Sequence, residues 1–340
     1  MILAGDIGGT KCTLTLFAHS GHELEALCRF TTPTRGSQGI TEVFEKFWAY
    51  VREQRSDLNP RELTWAGFGV AGTVVGDRVV SKNLPWAVER GTIASALHLD
   101  PTRVILLNDL VASATSLAHL KPSDLLQLNQ GNREARAPMA LIAAGTGLGE
   151  AILFWDGHRY KVSPSEAGLT DFAPRNDREF LLLQSLRHRM PRVCTEDVIS
   201  GRGFRSIHQI VFPGIQNSFF DDPDVDPAVK ITQQALAGSC EACAETLQTW
   251  TEAYGAEAGN MALRVLPFGG VYIAGGIALK ILPKMKDGSF VRAFSDKLQL
   301  STQLAKIPIY VVLNEDAPVL GAAYEALAHA TAVGSATAGV

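Results

Sequence analysis

The chain has 340 residues, a length that predicts two domains of ordinary size. It is 46% hydrophobic and 19% charged, with a formal charge of −4. That balance excludes intrinsic disorder as the main state and excludes a strongly basic nucleic-acid-binding surface. Glycine is over-represented, at 31 residues against a norm of roughly 7%. Such a surplus points to backbone that bends sharply or approaches a ligand closely. The five cysteines, Cys12, Cys28, Cys194, Cys240 and Cys243, are odd in number and sparse. This usage fits a reducing, cytoplasmic setting rather than a disulfide framework. No basic leader precedes Asp6, and the uncharged stretch between Arg264 and Lys280 is too short to span a bilayer. Neither a signal peptide nor a membrane span is expected.

In chain order, "ILAGDIGG" and "KCTLTLFA" read as two strands joined by a glycine turn, with alternation at period two, and "ELEALCRFTT" as a third. Ile40, Val43, Phe44, Phe47, Trp48 and Val51 follow helical spacing. "TWAGFGVAG", "DRVVSKN" and "RVILLND" supply further strands, so a sheet with crossover helices, an α/β class, is expected. A second segment begins near residue 118, where "PMALIAAGTGLGEAILFW" repeats the opening device of strand, glycine turn and strand. The repetition suggests a duplicated architecture with a cleft between the halves. Asn176 reads as the N-cap of "DREFLLLQSLRHRM", with Glu179 placed as in a capping box. The aspartates of "PGIQNSFFDDPDVDP" lack EF-hand spacing and read as a solvated loop. Cys240 and Cys243 lie in the helical pattern "QALAGSCEACAETLQTW" with no second ligand pair. They are expected to be two small buried helix residues, and no structural zinc is expected. The tail "ATAVGSATAGV" is expected to fray.

The chain contains no P-loop, no kinase HRD/DFG pair, no HExxH and no GxSxG elbow. Four other elements can carry chemistry. In "GDIGGTK" (Gly5, Asp6, Gly8, Gly9, Thr10, Lys11), backbone N–H groups can converge on an anion, with Thr10 and Lys11 as added donors. Asp6 at the strand end is placed to hold Mg²⁺ through water. "GTGLG" offers a similar cradle with Gly145, Thr146, Gly147 and Gly149; either turn alone is also an ordinary hairpin. Asn108 and Asp109 in "LLNDLVAS" end a strand and open a helix, where they serve either as an N-cap or as the ligand-facing end of an open α/β sheet. Gly275 and Gly276 in "GGVYIAGG" either pack against a flat ring or turn a corner.

In this order and spacing, "GDIGGTK", "LLNDLVAS", "AAGTGLGEA", "SEAGLTDFAP", "TEDVISGRG", "FGGVYIAGG" and "APVLGAAYEAL" resemble the bacterial ATP-dependent glucokinases of the hexokinase/actin-like ATPase superfamily. The resemblance implies a two-domain α/β actin-like, hexokinase-type (ribonuclease-H-like) ATPase fold with a central cleft. The smaller domain would be 1–117 plus about 315–340, and the larger 118–314. It implies phosphorylation of glucose at the 6-hydroxyl by ATP with Mg²⁺, with the two glycine turns gripping phosphates and Gly275–Gly276 lining the adenosine pocket. Asp109 takes the place of the family's general base. Asn83, Asn108, Glu166 and Glu196 match positions that bind the sugar. A homodimer in the cytoplasm, without nucleic-acid or membrane partners, is also implied. One departure stands out: the family's "GEGGHxDF" is here "SEAGLTDF", so Leu169 replaces a sugar-contacting His. That change leaves open a preference for another hexose or an amino sugar. A sugar-responsive regulator is disfavoured, because such relatives carry an N-terminal helix-turn-helix and the first strand here begins at residue 2.

Overall fold

The computed structural model describes residues 1–215, 218–222 and 224–337. The chain divides into two compact units, Met1–Leu120 with the segment from Asn314 onward, and Lys121–Leu313.

The first unit is built on a sheet of β1 (Ile2–Ile7), β2 (Lys11–Ser20), β3 (Glu23–Pro33), β4 (Trp65–Val70) and a later strand, Val104–Asn108. A small separate sheet comprises β5 (Thr73–Val75), β6 (Arg78–Val80) and β7 (Val88–Glu89), and the later strand is β8. The main sheet runs β3-β2-β1-β4-β8, with β1, β4 and β8 mutually parallel and β2 and β3 antiparallel at one side. Strand alternation divides the side chains of β1 between two cores. Leu3 and Ile7 join Phe44, Phe47 and Phe68 under α1 (Ile40–Gln54). Ile2 and Ala4 face the C-terminal helix Ala317–Thr337, through Ala322, Ala323 and Ala326. Asp6, next on the even side, leaves that apolar row at the strand's C-terminal end. The helix comes very close: a Cβ on Gly321 would lie 1.8 Å from the carbonyl oxygen of Ala112. Ala112 belongs to α3 (Asp109–Ser116), which follows α2 (Arg90–Leu97) and β8.

The second unit carries β9 (Leu125–Gln127), β10 (Met139–Ala144), β11 (Leu148–Trp155), β12 (Tyr160–Ser165), β13 (Val271–Ala274) and β14 (Ile309–Val312), in the order β12-β11-β10-β13-β14-β9. Here too a β-hairpin, β10–β11, adjoins parallel strands β10, β13 and β14. The helices α4 (Asp177–Arg187), α5 (Thr195–Val198), α6 (Gly201–Val211), α7 (Pro227–Leu236) and α8 (Glu241–Val265) intervene between β12 and β13. The apolar side of α8 fills the core: Trp250 stacks on Phe204 with centroids 4.6 Å apart, and its indole N–H donates to Ser200 O at 3.1 Å. The buried Tyr254 hydroxyl donates to Ile142 O at 3.2 Å and accepts from Ala144 N at 3.3 Å, which leaves neither atom of β10 unpaired.

Three local expectations, those for the cysteine pair, the capping box and the tail, need correction. The helical pattern around the two cysteines breaks between α7 and α8, where Gly238 adopts φ +67°. Cys240 is therefore the N-cap of α8 and half-buried, and only Cys243 is an interior, buried helix residue. Asn176 does cap α4, accepting from Glu179 N at 3.0 Å. The reciprocal half of a capping box is missing, however, because the Glu179 carboxylate accepts from the backbone and guanidinium of Arg175 instead. In the aspartate-rich loop a 3₁₀ turn forms at Ser218–Phe220, while Gln216, Asn217 and Pro223 lie outside the described residues. The alanine-rich tail is helical through Thr337, and residues 338–340 lie outside the described residues. Among the described residues no helix is long and apolar enough to cross a membrane.

Candidate active site

In the first unit, the parallel strands β1, β4 and β8 end together, with Asp6 opposite Gly69 and Val70 opposite Asn108. The C-terminal edge of such a sheet is where open α/β folds bind ligands. Between β1 and β2 the turn closes through Gly8 N donating to Lys11 O at 3.0 Å, and the Thr34 hydroxyl donates to Gly8 O at 2.6 Å. Thr10 and Lys11 are exposed at the tip. Asn83 stands against the same turn, since a Cβ on Gly9 would lie 2.9 Å from Asn83 O. Gly5, by contrast, is buried in the strand, where a Cβ would meet Leu14 and Phe68 at 2.6 and 2.9 Å. Its need for glycine is one of packing.

Asn108 caps α3: its Oδ1 accepts from Leu110 N and Val111 N, and its Nδ2 donates to Gly72 O at 3.0 Å. This cap fixes the first residue of the helix, Asp109, whose Oδ1 accepts from Leu110 N at 2.9 Å. Burial raises the Asp109 carboxyl above its ordinary value, and the hydrogen bond from Leu110 N opposes that. Asp6 is pushed up to about 7, first by burial and then by the Asp109 carboxylate, with Lys11 pulling the other way. Two partly buried carboxyl groups, the one on Asp109 raising the one on Asp6, bring hard oxygen donors together at the strand ends. That donor chemistry fits Mg²⁺.

In the second unit, the β10–β11 turn pairs Ala144 with Leu148 around Gly145, Thr146 and Gly147. Gly145 N donates to Gly147 O, and Gly145 O accepts from Gly201 N at the start of α6, each at 2.9 Å. Glu196 on α5 reaches this turn: its Oε2 accepts from Leu148 N at 3.3 Å, and a Cβ on Gly147 would lie 2.7 Å from that oxygen. Arg202 holds the other carboxylate oxygen, Oε1, at 3.2 Å. Glu166 and Leu169 are exposed at the two ends of a 3₁₀ turn, and Gly168 within it packs on Leu148 O. Gly275 follows β13 at φ +88°, a conformation that favours glycine, beside the carbonyl of Ala144. The late glycine pair and the second glycine turn thus lie at the ends of adjacent strands.

Each unit gathers its own share of the candidate residues: Asp6, Gly8 to Lys11, Asn83, Asn108 and Asp109 in the first, and Gly145 to Gly147, Glu166, Glu196, Gly275 and Gly276 in the second. Two supporting residues escape sequence reasoning. Thr34 props the first turn from 26 residues away, and no local signal announces it. Arg202 stands six residues after Glu196, and its basic charge in "SGRG" was the available clue.

The two units, each a glycine hairpin set on parallel strands with helices, have the α/β architecture of the actin-like ATPase fold. The glucokinase family profile matches residues 3–329. A glucokinase of Nostoc sp. is 36% identical over 342 aligned residues, covering 95% of this chain and 98% of its own. A glucokinase of Aromatoleum aromaticum is 36% identical over 322 residues, covering 94% of this chain and 93% of its own. The crystal structure of a glucokinase from an Antarctic psychrotroph superposes with a TM-score of 0.81 at 26% identity, covering 96% of this chain and 98% of that one. The chain belongs to the glucokinase family.

Proposed function

We propose that the protein transfers the γ-phosphoryl group of ATP to the 6-hydroxyl of glucose, with Asp109 as the general base. The observation that carries this reading is the Asp109 carboxylate, fixed by the Asn108 cap at the end of β8 and raised in pKa by burial. A base whose affinity for a proton is raised toward the working pH accepts the hydroxyl proton more readily as that oxygen attacks phosphorus. Phosphoryl transfer otherwise asks for positioning and neutralisation of charge. The turn at Gly8–Lys11 supplies backbone and lysine donors, the turn at Gly145–Gly147 supplies a second set, and Gly275–Gly276 offers a flat surface to the adenosine. Asp6 would hold Mg²⁺ through water, where the ion neutralises phosphate charge. Asn83, Glu166 and Glu196 present amide and carboxylate groups to the sugar hydroxyls. Asn108 donates one amide hydrogen to Gly72 O and also hydrogen-bonds the Asp109 carboxyl, so it steadies the base.

Leu169 favours a second reading, a kinase of another hexose or an amino sugar. It is 49% exposed on the turn that carries Glu166 and can neither donate nor accept a hydrogen bond. Comparison of kcat/KM across glucose, mannose, fructose and glucosamine with ATP decides between the two. Glucose is expected to lead the series; a tenfold advantage for another sugar overturns that choice of substrate.

A further inference from the structure

The break between α7 and α8 places two thiols where helix chemistry makes a pair. Cys240, at φ −146° and ψ 113°, is the N-cap of α8, and its sulfur accepts from Cys243 N at 3.3 Å. The extended backbone of Cys240 turns its side chain back over the first turn, onto the residue three positions on. Cα atoms of residues three apart across one helical turn lie about 5–6 Å apart, inside the span a disulfide bridges. The pair is also asymmetric. Cys240 is half-exposed among the exposed residues Leu236 to Ser239 and Glu241, whereas Cys243 is fully buried. The Cys243 thiol also donates to Gln234 Oε1 at 3.4 Å.

We infer that Cys240 and Cys243 form a reversible intrachain disulfide, closed by thiol–disulfide exchange with a low-molecular-weight disulfide. The outer sulfur, Cys240, meets the reagent. Its thiolate attacks one sulfur of the small disulfide RSSR, the S–S bond breaks, and one RS⁻ leaves to become RSH on protonation. The Cys243 thiol then gives its proton to solvent and attacks the Cys240 sulfur, expelling the second RSH. The balance is two protein thiols and RSSR on one side, one protein disulfide and two RSH on the other. Burial, followed by hydrogen bonding and like charge from Cys240, holds Cys243 up to about 12. The last two causes vanish once Cys240 is capped, so the first step readies the second.

The test exposes the native protein to glutathione and glutathione disulfide in graded ratios, blocks remaining thiols with iodoacetamide, and maps the peptide spanning both residues by mass. The expected result is loss of two alkylatable thiols in that one peptide as the disulfide fraction rises, with full recovery under dithiothreitol. Cys240→Ser should lose both the bridge and any adduct at Cys243, and Cys243→Ala should stop at a glutathione adduct on Cys240. Two alkylated thiols in the wild-type protein under glutathione disulfide alone, with the native circular-dichroism spectrum retained, would overturn the inference. An adduct that accumulates first on Cys243 would also overturn it.

Discussion

The two glycine hairpins follow one plan and differ in what stands beside the turn. In the first unit, β1–β2 closes with Ile7 opposite Cys12, and the wall next to Gly9 is main chain, the carbonyl of Asn83. In the second, β10–β11 closes with Ala144 opposite Leu148, and the wall next to Gly147 is the tip of the Glu196 side chain. A backbone wall cannot yield without moving its segment, while a carboxylate can swing aside by rotamer change. The first turn is therefore rigidly shaped. The second is shaped by a group that also has a proposed duty toward the sugar. Each hairpin also holds a buried carboxyl group with a raised pKa, Asp6 before the first turn and Glu150 after the second. Asp6 lies at a strand end beside Asp109. Glu150 is 1% exposed, points into the core of its unit, and has one oxygen without a hydrogen-bond partner.

The comparison can be broken most decisively at the catalytic end of the first unit. Asp109→Asn should lower kcat by about 10²–10⁴-fold while the thermal midpoint and circular dichroism stay near wild type. Near-normal turnover would remove Asp109 as the base. Next in size, Gly9→Ala should cost about 1–3 kcal/mol of stability, because the added methyl meets main chain. Gly147→Ala should stay within about 0.5 kcal/mol and raise the KM for glucose as Glu196 is displaced. Equal thermal losses in the two variants would erase the proposed difference between the walls.

The buried carboxyl group of the second unit yields a smaller, pH-dependent effect. Burial and then the Glu257 carboxylate push Glu150 up to about 8, with Arg264 opposing and Tyr254 the other titratable neighbour on α8. An unfolded chain releases this proton near the ordinary value of 4.5, so the folded state binds more protons between there and about 8. Stability accordingly falls as pH rises through that window. Glu150→Gln should melt above wild type at pH 8.5, with the gap closing toward pH 4.5, and should leave kcat unchanged. A gap that is constant with pH would show that Glu150 is ionised throughout. Smallest of all, Leu169→His should lower the KM for glucose roughly fivefold, the worth of about one hydrogen bond. An unchanged or higher KM would separate this position from the sugar.

Much of this arrangement is legible in the chain itself. Period-two alternation of apolar residues and threonines in "KCTLTLFA" and helical spacing from Ile40 to Val51 locate β2 and α1, although β2 is covered on both faces and only α1 buries a single one. The strand–turn–strand repeat is likewise visible, since glycines punctuate it. Contacts between distant residues are less legible. Nothing near Gly8 announces Thr34, 26 residues away. The helical periodicity around Cys240 and Cys243 concealed a break, because one glycine at positive φ reverses the chain direction without disturbing the apolar spacing on either side.

The C-terminal helix sets an order of events during synthesis. Residues 121–313 form a unit from one continuous stretch, so that unit has all its parts while the ribosome is still adding the last residues. The first unit does not. One face of its sheet, with Ile2, Ala4 and Trp65, stays uncovered until the segment beginning at Ala317 emerges to pack on it. Residues 1–120 are thus made before the continuous unit and completed after it. During that interval an apolar surface is open to chaperones or to misassociation, and shortening the final helix should cost yield in cells before it costs activity in the purified enzyme.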